Sequence, residues 1–122
     1  MPIVLSVNDE RKEVEAFATG PIHYPEVEHH LCTERYVGGL AYREFIDARG
    51  AGVLFTPAEI RQIVALLRRL GQESKLAPTA VLVTSDVAFG LMRMLGILVE
   101  DIAAVRPFRD EREARAWLAS YS

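Results

Sequence analysis

A chain of 122 residues with 17 acidic and 14 basic side chains carries a formal net charge of −3, which leaves no basic footprint for a nucleic-acid backbone. Half of the residues are hydrophobic and only 8 are Gly and 6 Pro, the balance of one compact domain over residues 1–122 and not of a disordered or fibrous chain. The single cysteine, Cys32, excludes an intramolecular disulfide, and the most apolar stretch, Val87 to Val99, is interrupted by Arg93 and too short to span a bilayer.

The start, Met-Pro-Ile-Val-Leu-Ser-Val, lacks the positive flank of a secretory leader and runs into the charged segment Asn8 to Lys12, so a cytosolic location is expected. Ile3 to Val7 and Val14 to Thr19 read as an antiparallel strand pair across that segment, with Gly20-Pro21 stopping the second strand. Pro25 can open a short helix through about Arg35, ended by Gly38-Gly39. Tyr42 to Asp47 alternates as a strand does, and Arg49-Gly50-Ala51-Gly52 is expected to break it.

Thr56-Pro57-Ala58-Glu59 combines an N-cap, a proline at the first helical position and the acid of a capping box. Ile60, Ile63, Val64, Leu67 and Leu70 then repeat with helical spacing, and Gly71 is expected to close the helix. Ala80 to Val83 is a wholly apolar run suited to an interior strand. Ser85 caps a further helix with a predicted core stripe of Val87, Leu91, Met94, Leu95 and Leu98. Its other side, Phe89, Met92, Gly96 and Val99, is also apolar, and is expected to meet a second subunit, a partner or a ligand. Ala103 to Val105 gives a last strand, and Asp110 caps a final helix that buries Ala114, Trp117, Leu118 and Tyr121. Alternating strands and helices of this kind imply an α/β sheet with largely parallel central strands.

Several pieces in this order carry a resemblance: Asp47-Ala48-Arg49-Gly50, Thr56-Pro57-Ala58-Glu59-Ile60, Val83-Thr84-Ser85-Asp86 with Phe89-Gly90 and Arg93-Met94, and Phe108-Arg109-Asp110-Glu111 with Ala114 and Trp117-Leu118. Over about residues 12–119 the chain resembles the STAS-like family, related to sporulation anti-sigma factor antagonists. The resemblance implies a mixed, mostly parallel sheet of four to five strands with helices mainly on one side, in a bacterial cytosolic regulatory or ligand-binding module. Anti-sigma factor antagonists carry a phosphorylatable hydroxyl in an Asp-Ser-Ser-Gly-like turn. Here the equivalent loop, Gly50 to Thr56, lacks that turn and offers Thr56 as its nearest hydroxyl, a residue that an N-cap role also explains.

Ligands of open α/β sheets bind beyond the carboxyl ends of the strands. On that rule Arg49, Thr56, Ser85 and Asp86 form one rim suited to an anionic head group, with Phe55 and Phe89 over an apolar tail. The simpler alternative makes Ser85 only a cap and pairs Asp47 or Asp86 with Arg49 or Arg93. The expected function is a non-catalytic module that engages a partner protein or a small amphiphilic or anionic ligand, homodimeric through Phe89, Met92, Arg93, Gly96 and Val99. Alternatives are a small enzyme at the Arg49, Ser85, Asp86 rim and a phosphorylation switch at Thr56 or Ser85. His23, His29, His30 and Cys32 lack metal-site spacing and read as a titratable surface cluster, so no metal and no cofactor are expected.

Overall fold

The structure is a computed structural model that describes residues 3–35, 42–73 and 75–121. A five-stranded sheet in the order β1-β2-β3-β4-β5 organises the chain: β1 (Ile3–Asn8), β2 (Glu13–Ile22), β3 (Arg43–Val53), β4 (Thr79–Leu82) and β5 (Val105–Phe108). β1 and β2 pair antiparallel and the other three pairings are parallel. Between them run α1 (Tyr24–His29), continued by a π-helical turn (His30–Arg35), α2 (Pro57–Glu73), α3 (Asp86–Leu98) and α4 (Glu111–Ala119). The Gly38-Gly39 helix stop falls outside the described residues.

Two strands outlast the glycines expected to end them. β2 continues through Gly20, which takes a positive φ of 69°, and β3 continues through Gly50 and Gly52. Their pairing jumps from Phe17↔Asp47 to Thr19↔Gly50, so β3 holds one residue more than its partner at that point. Such a bulge shifts the side-chain alternation. Glu44, Ile46 and Ala48 face the α1 to α3 layer before it, and Ala51 and Val53 face that layer after it. Gly50 and Gly52 pair with Thr19 and Pro21 in the regular register that resumes after the bulge. Gly71 likewise lies inside α2, not at its end.

The capping box at α2 is formed: Glu59 N donates to Thr56 Oγ1 at 3.1 Å and Thr56 N to Glu59 Oε1 at 3.0 Å. The core of α2 is Ile60, Ile63, Leu66, Leu67 and Leu70, with Leu66 in place of the expected Val64. β4 is flanked on both sides, as its apolar sequence requires, although β3 is the middle strand. β5 starts at Val105 and not at Ala103.

The largest departure concerns α3. Its inner face is Ala88, Met92, Leu95 and the C-cap Val99, whereas Val87, Met94, Ile97 and Leu98 are exposed. Of the expected core stripe, Leu95 is buried and Leu91 packs against the core, whereas Met92 and Val99, expected on the outer face, belong to the core. Gly96 sets the rotation of the helix: a Cβ there would run into the Val105 carbonyl, so α3 lies directly on β5 through this residue. On the opposite face of the sheet α4 covers Phe45, Ala80, Leu82 and Phe108 with Ala114 and Leu118; Trp117 is partly buried and Tyr121 half exposed.

Candidate functional site

The residues expected to share one rim are each engaged with partners of their own. Arg49 closes on Asp47 through two bonds, Nε to Oδ1 at 3.1 Å and Nη2 to Oδ2 at 2.8 Å, and lies 3.6 Å from Glu111. The guanidinium holds the Asp47 carboxyl below the usual aspartate range despite partial desolvation. Arg115 extends this network from α4, reaching Glu111 at 2.9 Å and Glu15 at 2.8 Å and stacking 4.1 Å over the Phe45 ring. Arg49 thus helps to fasten α4 to the sheet.

Thr56 and Ser85 both act as caps, the Ser85 hydroxyl accepting from Ala88 N at 3.0 Å. Asp86 pairs with Arg109 at 2.7 Å, not with Arg93, and no ion pair or hydrogen bond joins Arg49 to Ser85 or Asp86. Phe89 lies under the Arg109 guanidinium at 4.5 Å. Phe55, in contrast, is buried in the core.

Phe55 lines an apolar pocket of about 120 Å³ between the sheet and α1, α2 and α3. Ile3, Ala18, Ile46, Ala48 and Val81 of the strands form its floor; Val27, Leu31, Ile63, Leu67, Met92 and Leu95 of the helices form its roof. Interiors normally pack with few voids larger than a water. A cavity of roughly 150 Å³ with such a lining stays dry and takes a benzene-sized guest.

Its polar wall consists of Thr79 and one buried pair, His30 and Glu44, whose Nε2 and Oε2 lie 2.7 Å apart. His30 is 3% exposed and Glu44 1%. His30 is therefore not part of a surface cluster; the π-helical turn that starts with it turns its ring onto β3. His23 instead contacts Glu59 at 3.2 Å and Cys32 contacts Arg69 at 3.8 Å, so the residues read together from the sequence point to different partners. Among the described residues no group of three or more His, Cys, Asp and Glu is placed to hold a metal ion. The signal for Glu44 was present in the sequence: it alternates in phase with Ile46 and Ala48, the face that β3 turns toward the helices.

No helix among the described residues is long and apolar enough to cross a membrane. No family model matches the chain, and no curated protein matches it by sequence. Its structure is similar to that of an uncharacterised protein of the DUF3478 family with a SpoIIAA-like fold from Shewanella loihica PV-4, at a TM-score of 0.59 and 15% identity, over 95% of this chain and 93% of that one. The five-stranded mixed sheet and its helices thus make up a SpoIIAA-like, that is STAS-like, α/β fold.

Proposed function

We propose that the protein is a non-catalytic, cytosolic binding module whose ligand is a compact amphiphile seated in the cavity under α1, α2 and α3. The observation that carries this reading is the union of an apolar void with a buried imidazole–carboxylate pair in its wall. A wall of branched aliphatic side chains favours an apolar body by excluding water, and a few fixed polar groups select the head. Burying a carboxylate and an imidazole is unfavourable unless each is hydrogen-bonded. Their retention where aliphatic residues would pack fits a binding task better than a stabilising one.

Benzyl alcohol and toluene test the reading as probes of matched body and different head. In a methyl NMR titration, benzyl alcohol is expected to shift the signals of Val81, Met92 and Leu95 and to bind several-fold more tightly than toluene. Ala48→Leu, which fills the void, is expected to abolish both responses while leaving the fold intact by circular dichroism. Absence of shifts at those methyl groups in the parent protein, or responses that survive Ala48→Leu, would overturn it.

A further inference from the structure

Beyond β5, at the outer edge of the sheet, α3 and α4 stand on opposite sides of the strand and leave an open groove of about 450 Å³. Three arginines line it, Arg93 from α3, Arg106 from β5 and Arg109 from the turn before α4, against one carboxylate, Glu113. Arg109 lies over the Phe89 ring and Arg106 lies 5.2 Å over the Phe108 ring. A guanidinium held over an aromatic face loses less freedom on binding a carboxylate.

Arg109 already engages a carboxylate of this kind, Asp86, whose side chain is 88% exposed. Arg93 and Arg106, like Arg61 and Arg112, form no ion pair with any acid among the described residues. The groove continues along β5 past Gly96, Ile97 and a second carboxylate, Glu100, to Trp117. It is a track that supplies cations at one end and an aromatic wall at the other.

We propose that this edge groove takes an extended acidic segment of a partner protein, with carboxylates on Arg93 and Arg106 and an apolar side chain against Trp117. The length of the track favours a peptide over a lone anion. Recognition runs through side chains, because the backbone of β5 has little left to offer a further strand: Pro107 has no N–H, and Gly96 covers the Val105 carbonyl. The arginine-lined part of the groove shares no lining residue with the apolar cavity, so the two proposals fail independently.

Trp117 is the only tryptophan and reports directly on the groove. The probe is a blocked peptide of sequence Glu-Asp-Phe-Glu-Asp-Glu, with its Gln/Asn counterpart as control. The acidic peptide is expected to change Trp117 fluorescence saturably, with an affinity that weakens as salt is raised. Arg93→Glu with Arg106→Glu is expected to weaken it at least tenfold, Arg93→Gln with Arg106→Gln to a smaller extent, and Arg61→Glu on α2 not at all, with circular dichroism confirming the fold of each. Equal binding of the neutral peptide, parent-like binding by both double variants, or displacement of the peptide by an equal concentration of inorganic phosphate would overturn the proposal, the last by indicating a small-anion site.

Discussion

Gly96 and Gly90 occupy the same helix and differ in what surrounds them. A methyl group at Gly96 would meet the Val105 carbonyl, whereas nothing lies within 4 Å of one at Gly90. Alanine in a helix interior is favoured over glycine by about 0.8–1 kcal/mol. Gly90→Ala is therefore expected to raise the stability by up to about 1 kcal/mol and Gly96→Ala to lower it by roughly 1–3 kcal/mol, since α3 must lift off β5. Urea unfolding of the two variants checks this, and a stabilised Gly96→Ala would contradict the close approach. The same residue explains why the orientation of α3 was illegible in the sequence. A helix apolar on two sides has no single stripe to read, and its rotation follows from the close approach of Gly96 to β5. Glu44 is legible by its phase with Ile46 and Ala48, but its partner His30, fourteen residues away, is not.

At the scale of elements, the capping signals were fully legible, because Thr56, Ser85 and Asp110 act within one turn of their own sequence. The long-range network was not. Asp47, Arg49, Glu111, Arg115 and Glu15 come from β2, β3 and α4, and only the folded sheet brings them together. Its titration follows from the lowered pKa of Asp47. A carboxyl whose folded value lies below its unfolded one adds stability that is present above the unfolded value and lost as pH falls toward the folded one. Asp47→Asn is expected to be less stable than the parent by about 1 kcal/mol at pH 7, a figure kept small because Arg49 is half exposed. That gap is expected to shrink as the pH falls through and below the ordinary aspartate range. Denaturant midpoints across this range measure it, and a gap independent of pH would show that the carboxylate charge is not what fastens α4.

For the whole molecule, the alternation of strands and helices was enough to specify the sheet, while the distribution of its faces was not. Any association of folded chains through α3 runs through the outer stripe of Val87, Met94, Ile97 and Leu98, because Met92 and Val99 are already buried. Met94→Glu with Leu98→Glu is expected to leave the unfolding midpoint within about 0.5 kcal/mol of the parent and to sediment as a monomer. Met92→Glu is expected to destabilise the fold by about 3 kcal/mol or more, through an unpaired buried charge. A dimer that survives the outer pair but is dissociated by Met92→Glu without unfolding would restore the interface first read from the sequence.

The two edges of the sheet are unequal. β5 carries Pro107 and is overlaid by Gly96 of α3, while β1 bonds to β2 on one side and, among the described residues, pairs with nothing on the other. An unpaired strand edge is a template for a neighbouring chain. Val4 and Phe17, paired across β1 and β2 and both more than half exposed, make this corner adhesive as well as open. Misassembly at high concentration is therefore expected to begin by strand addition at β1 and not at β5, where Pro107 and Gly96 leave little backbone to pair.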